Sequence, residues 1–205
     1  IAAHRFTEED HIAITPRMRV VLIDHYDSFS FNVLDWLSAG GLAVDYVTFD
    51  DRRRMRALAE NPDVPLVFSP GPGRPEDVRE SLDLMRATLG RTPIFGVCLG
   101  HQMLAHVAGA LIGPASAPYH GSKLPILVSD VEACLFFGMQ RVFHGATYNS
   151  LSVIGSSLPS PWRITAKSTS GDVQAIAFES RGLAPAYGVQ FHPESYLSEQ
   201  MDVLL

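Results

Sequence analysis

The sequence predicts an α/β protein: a doubly wound, mostly parallel sheet with helices on both faces and an added antiparallel portion. Three observations carry this reading. Between residues 19 and 111, short apolar or β-branched runs alternate with segments of helical periodicity, the pattern of parallel strands joined by crossover helices. The fourth run leads into Gly96-Val97-Cys98-Leu99-Gly100, a glycine-flanked turn from strand to helix. Beyond Gly113 the helical spacing ceases and shorter strand-like runs follow. A chain of 205 residues is enough for one sizeable core and short for two.

Taken in order, Arg19-Val20-Val21-Leu22-Ile23-Asp24 is a buried parallel strand. A loop over residues 25–28 leads to a helix whose apolar positions Phe29, Val33, Leu34 and Leu37 share one face, and Gly40-Gly41 stops it. Residues 43–49 form the second strand, 51–60 the second helix and 66–68 the third strand. The loop over 70–75 precedes a helix opened by Pro75-Glu76-Asp77 and reaching about Leu89. Residues 94–97 are the fourth strand, and a helix follows over roughly 99–111. The second half offers strands over 126–129, 140–144, 152–154, 162–168 and 174–179, with a hairpin turn at Ser168-Thr169-Ser170-Gly171-Asp172. These should extend the sheet and bring residue 192 back beside residue 98. Residues 196–205 read as a final helix or the start of one. Residues 1–17 lack periodicity and read as a tail or linker ahead of a domain over 18–205.

Bulk composition removes several classes of function. A net charge of −6 argues against nucleic acid as a partner, because phosphate contacts need clustered Lys and Arg. Arg52-Arg53-Arg54, beside Asp50-Asp51, is the one basic run and reads as a solvated helix start. No stretch is long and apolar enough for a membrane span, and the N-terminal residues have no signal-peptide core. The two cysteines, Cys98 and Cys134, form no C-x-x-C pair, which suits a reducing, cytoplasmic setting. Cys134, beside Leu135, Phe136 and Phe137, reads as a core residue. The eight histidines show no ligand spacing, so no metal site is expected. Neither G-x-x-x-x-G-K-[ST] nor G-x-G-x-x-G occurs, which leaves Gly71-Pro72-Gly73 without a nucleotide-binding reading.

The chemistry-bearing residues converge on a cysteine nucleophile. Glycines two positions either side of Cys98 relieve the crowding of a sharp turn. The helix that follows directs the positive end of its dipole at the sulfur, stabilising negative charge there. A thiol nucleophile needs a base and a group to hold the base. Gln190-Phe191-His192-Pro193-Glu194-Ser195 supplies both, since proline fixes the backbone between His192 and Glu194. His192 can take the thiol proton and Glu194 can orient the imidazole. Gln102, one helical turn after Cys98, can face the same pocket.

Phe95-Gly96-Val97-Cys98-Leu99-Gly100-His101-Gln102 and Gln190-Phe191-His192-Pro193-Glu194-Ser195 resemble the two signature blocks of class I (triad) glutamine amidotransferases. Asp27-Ser28-Phe29-Ser30-Phe31-Asn32 and Ser69-Pro70-Gly71-Pro72-Gly73-Arg74-Pro75 narrow the likeness to the chorismate-pathway branch, the glutaminase components of anthranilate synthase and aminodeoxychorismate synthase. The resemblance implies a flavodoxin-like fold and the catalytic set Cys98, His192 and Glu194. It implies an oxyanion hole from the N–H groups of Gly71 and Leu99, with Gly71, Pro72 and Gly73 lining the glutamine site. It further implies substrate contacts from Gln102, and from Ser150 and Leu151 within Tyr148-Asn149-Ser150-Leu151. Relatives often carry histidine where Asn149 stands, and His120-Gly121-Ser122-Lys123 departs in detail from a His-Gly-Lys block.

By the same resemblance, the partners are L-glutamine and a chorismate-binding synthase, either a separate polypeptide or a fused domain. No cofactor is implied on this chain, and Mg2+ belongs to the synthase. Anthranilate synthase component II is the leading reading, with aminodeoxychorismate or aminodeoxyisochorismate synthase as the alternative. A non-catalytic regulatory component and a cysteine peptidase of the same fold are the competing classes. Intact Cys98, His192 and Glu194 argue against the former, and Gln102 with Gly71–Gly73 against the latter.

Overall fold

A computed structural model describes residues 18–129 and 134–204. The tail or linker reading of residues 1–17 lies outside the described residues, as does residue 205 of the expected last helix. The strands are β1 (Arg19–Asp24), β2 (Ala43–Thr48), β3 (Leu66–Phe68), β4 (Ile94–Val97), β5 (Ile112–Pro114), β6 (Ser122–Val128), β7 (Val142–Thr147), β8 (Leu151–Val153), β9 (Arg163–Ser168), β10 (Val173–Phe178) and β11 (Ala186–Val189). The helices are α1 (Ser30–Ala39), α2 (Arg52–Glu60), α3 (Arg79–Thr88) and α4 (Leu99–Ala108).

One sheet runs β2-β1-β3-β4-β11-β10-β9-β6-β7, and a small second sheet pairs β5 with β8. From β2 to β11 all neighbours are parallel. From β11 outward through β10, β9, β6 and β7 they are antiparallel. This is the expected α/β architecture. Alternation along β1 sorts the core between the two faces. Val20 and Leu22 pack with Val33 and Leu37 of α1, while Val21 and Ile23 pack with the apolar faces of α2, α3 and α4 through Met55, Met85 and Met103. Burial of both faces explains the near-continuous apolar reading of these strands.

Several boundaries differ from expectation for definable reasons. Pro75–Asp77 is a separate 3-10 turn, and α3 starts only at Arg79. Asp77 Oδ2 accepts from the Arg74 N–H at 2.8 Å, and Val78, at φ −116° and ψ 61°, interrupts the helix. α4 stops at Ala108 because Gly109 takes the left-handed conformation (φ 95°) and returns its N–H to Ala105 and His106, a glycine C-cap. The next residues are thereby released to form β5. β6 and β7 extend beyond the expected runs to pair from Ser122↔Thr147 to Leu127↔Val142.

Two further expectations are corrected. Described residues 196–204 form turns rather than a helix. Cys134 is exposed, because the 3-10 turn Cys134–Phe136 directs Phe136 into the core instead. The Arg52-Arg53-Arg54 run does begin a solvated helix, capped by Asp51.

Candidate functional site

The site forms where β4 and β11 end side by side. Val97 of β4 is in register with Val189 of β11, and the Cys98 N–H donates to the Val189 carbonyl at 2.8 Å. Cys98 itself takes φ 52° and ψ −99°, a left-handed conformation that costs about 1–3 kcal/mol in a residue with a Cβ. The flanking glycines make the turn possible by close packing rather than by unusual dihedrals. A Cβ on Gly96 would lie 2.4 Å from the Gly100 carbonyl carbon, and one on Gly100 would lie 2.4 Å from the Phe68 carbonyl oxygen. The sulfur therefore sits at the N-terminal end of α4, where unpaired backbone N–H groups favour negative charge.

The segment after β11 brings up His192 and Glu194. The His192 N–H donates to Ala146 of β7 at 2.8 Å, and the Ser198 hydroxyl donates to the His192 carbonyl at 2.6 Å, so the backbone is held on both sides. His192 Nδ1 lies 2.7 Å from Glu194 Oε1, with the two side chains 2% and 0% exposed. Phe29 and Tyr148 meet the imidazole edge-on, with ring centroids 5.3 and 4.9 Å away. The buried Nε2 makes no hydrogen bond of ordinary geometry among the described residues; Cys98 acts on it through charge and a loose thiol contact. Burial alone would lower the imidazole's pKa, but Cys98 and Glu194 outweigh it and hold His192 at about 10. Nδ1–H faces the carboxylate and Nε2 is left for the sulfur, the polarity a thiol–imidazole pair needs.

A cleft of about 170 Å³ opens at Cys98. One wall is the loop Gly71, Pro72 and Gly73; the floor holds Leu99 and Gln102; the far wall is Tyr148, Asn149, Ser150 and Leu151. All seven residues expected to bind substrate therefore line one space with Cys98. A Cβ on Gly71 would fall 2.6 Å from Leu99 Cδ2, so the two residues expected to donate to an oxyanion are in contact. Gln102 is buried and already engaged: its Nε2 donates to the Leu151 carbonyl (3.2 Å) and to Gln190 Oε1 (3.0 Å). Asn149 Nδ2 also donates to Leu151, at 2.9 Å. Gln190 Nε2 donates to Cys98 Sγ at 3.4 Å.

Gln190, Tyr148, Asn149 and Phe29 were not among the expected site residues. All four stand within the sequence blocks quoted above, but nothing in their type or spacing distinguishes a site contact from a core contact. His101, next to the elbow, points away from the cleft and packs on Gly188. Its burial pushes the imidazole down to about 4. Among the described residues no group of three or more His, Cys, Asp and Glu side chains could hold a metal ion. Likewise, no described helix is long and apolar enough to cross a membrane.

A sequence model of the class-I glutamine amidotransferases matches residues 21–205. The chain belongs to this family. It is 37% identical over 185 residues to anthranilate synthase component 2 of Mycobacterium tuberculosis, covering 89% of this chain and 77% of that one. It is 38% identical over 186 residues to aminodeoxychorismate synthase component 2 of Klebsiella aerogenes, covering 91% and 96%. It is 36% identical over 183 residues to the bifunctional protein TrpGD of Thermotoga maritima, of which it spans only 30%. In fold alone, it matches a glutamine amidotransferase of Thermotoga maritima (TM-score 0.69, 18% identity, 87% and 76% coverage). The amidotransferase fold places the elbow, the imidazole and the glycine loop at the carboxyl ends of the parallel strands, where open α/β sheets bind ligands.

Proposed function

We propose that this glutamine amidotransferase hydrolyses L-glutamine at Cys98 and delivers the ammonia to a chorismate-aminating synthase, as the glutaminase component of an anthranilate synthase. The observation that supports it most is the meeting of Cys98, the His192–Glu194 pair and the Gly71–Gly73 loop around one cleft. The Cys98 sulfur attacks the side-chain amide carbon of glutamine, and the N–H groups of Gly71 and Leu99 hold the resulting oxyanion. His192, charged in the resting pair, gives its Nε2 proton to the amide nitrogen. The C–N bond breaks, ammonia leaves, and a γ-glutamyl thioester remains. His192, now neutral, takes a proton from water; hydroxide adds to the thioester, the C–S bond breaks and glutamate departs. Glu194 fixes the tautomer and supports the charged imidazole throughout.

Free ammonia is protonated in bulk water and ceases to be a nucleophile, so its use requires direct passage to an acceptor site. The relatives named above act in anthranilate and aminodeoxychorismate synthases at closely similar identity, which is why aminodeoxychorismate synthase, or an aminodeoxyisochorismate synthase, is the alternative. The acceptor chemistry lies in the synthase, to which any Mg2+ requirement is also assigned. Two cysteines that form no disulfide favour a cytoplasmic setting. The test is glutamate release from glutamine with and without co-purified synthase, followed by product identification from chorismate. A Cys98→Ala variant that still released glutamate would refute the assignment.

A further inference from the structure

The loop carrying Gly71 is anchored from behind by a buried chain of hydrogen bonds that the mechanism above does not use. Ser69 Oγ donates to the Pro70 carbonyl at 2.6 Å. The same oxygen lies 3.0 Å from the His25 N–H and 3.0 Å from His25 Nδ1, and His25 Nε2 lies 2.9 Å from Ser81 Oγ. His25, Ser69 and Ser81 are all buried. The His25 ring is stacked between Phe49 and Phe68, at centroid distances of 5.7 and 6.3 Å.

The proton positions follow from counting donors. Ser69 has one hydroxyl proton, and the carbonyl of Pro70 can only accept. With that proton committed, Ser69 Oγ must accept from both His25 nitrogens, so Nδ1 carries hydrogen. Burial pushes the His25 imidazole down to about 4, so near neutral pH it is uncharged and Nε2 is bare, accepting from the Ser81 hydroxyl. In this arrangement every polar atom of the chain is satisfied.

That arrangement has a consequence for the cleft. In a planar trans peptide the carbonyl and the N–H point in opposite directions. The Pro70 carbonyl and the Gly71 N–H belong to the same peptide unit, so tying the carbonyl to Ser69 directs the N–H away from Ser69. Rotating this peptide by half a turn would present a carbonyl oxygen where a developing oxyanion needs a donor. Gly71 also leans on His25, since a Cβ there would come within 2.7 Å of His25 Cβ.

We infer that His25 and Ser69 are positioning residues that lock the Pro70–Gly71 peptide with its N–H toward the cleft, so that the oxyanion hole is assembled before substrate arrives. The inference rests on the glutaminase reading for its chemistry and on the hydrogen-bond chain for its geometry.

The test uses the full chain with its synthase and two probes of Cys98. Glutamine turnover needs the oxyanion hole; alkylation by iodoacetamide needs only a reactive sulfur. Ser69→Ala is expected to lower kcat for glutamine by roughly 10- to 100-fold, with KM and the alkylation rate each within about threefold of wild type. His25→Leu should behave alike. His25→Asn, whose amide nitrogen can occupy the place of Nδ1, should recover most of the turnover. Equal losses in turnover and alkylation, unchanged turnover in Ser69→Ala, or no recovery in His25→Asn would overturn the inference. If the wild-type chain releases no glutamate, the glutaminase reading fails instead. The lock is then judged by a crystal structure of Ser69→Ala, in which a turned Pro70–Gly71 peptide supports it and an unmoved one refutes it.

Discussion

The parallel and antiparallel parts of the sheet furnish the cleft by different means. At the ends of β4 and β11, position is set by main chain: an elbow at φ 52°, an N–H to Val189, and two glycines that admit no Cβ. On the antiparallel side the wall is the turn between β7 and β8, held by side-chain amides of Gln102 and Asn149 on one carbonyl, Leu151. The first device fixes the reacting atoms through backbone contacts that leave no room for a Cβ at either glycine. The second shapes a binding surface and yields gradually.

The largest effect expected on the parallel side is loss of the nucleophile: Cys98→Ala should reduce glutaminase activity by roughly 10⁴-fold or more, read as glutamate release, while the fold persists by circular dichroism. Glu194→Gln comes next. It keeps the shape of the pair but removes the charge on Nδ1–H, and should lower kcat by about 10²- to 10³-fold with little change in KM. It should also alter the pH dependence of stability. The folded-state pKa of His192 is raised from 6.5 to about 10. The stabilisation it contributes is therefore complete below pH 6.5 and lost as pH rises through about 10. Denaturant midpoints measured across that window should fall less in Glu194→Gln than in wild type.

Gly100→Ala probes the same side through stability. A Cβ 2.4 Å from a backbone oxygen forces β3 and α4 apart, for a loss of about 3 kcal/mol in denaturant unfolding. The smallest effect belongs to the antiparallel wall. Asn149→Ala removes one bond to Leu151 and should raise KM for glutamine about fivefold with kcat nearly unchanged. A larger loss in kcat than in KM would mean that this wall, too, positions reacting atoms.

How far the molecule was legible in its sequence follows the same division. β1, β3 and β4 span the residues expected of them, because strands covered on both faces show as near-continuous apolar runs. β6 and β7 are displaced from the apolar runs because their outer positions face solvent, as at exposed Leu127 and Val142. The early end of α4 was written in Gly109, though apolar residues continue past it. Cys134 misled through its apolar neighbours, since the 3-10 turn buries Phe136 and packs Leu135 partly against the core while leaving Cys134 outside. In the site, Cys98, His192 and Glu194 stood out by chemistry and spacing. Gln190 did not, because a buried glutamine on a strand has the same appearance whether it faces a sulfur or a carbonyl. The anchoring role of Ser69 was equally invisible, since it depends on which peptide plane its hydroxyl reaches.

The two glycines of the elbow also bear on how such a chain can diverge. The sulfur is located by backbone contacts, so apolar core residues such as Met103 or Leu104 can be exchanged for others of like volume at the expense of melting temperature alone. Besides Cys98, His192 and Glu194 themselves, what the elbow cannot exchange is the bare α-carbon of Gly96 and that of Gly100. A lineage could thus rewrite most of its interior while the reactive centre stayed where it was.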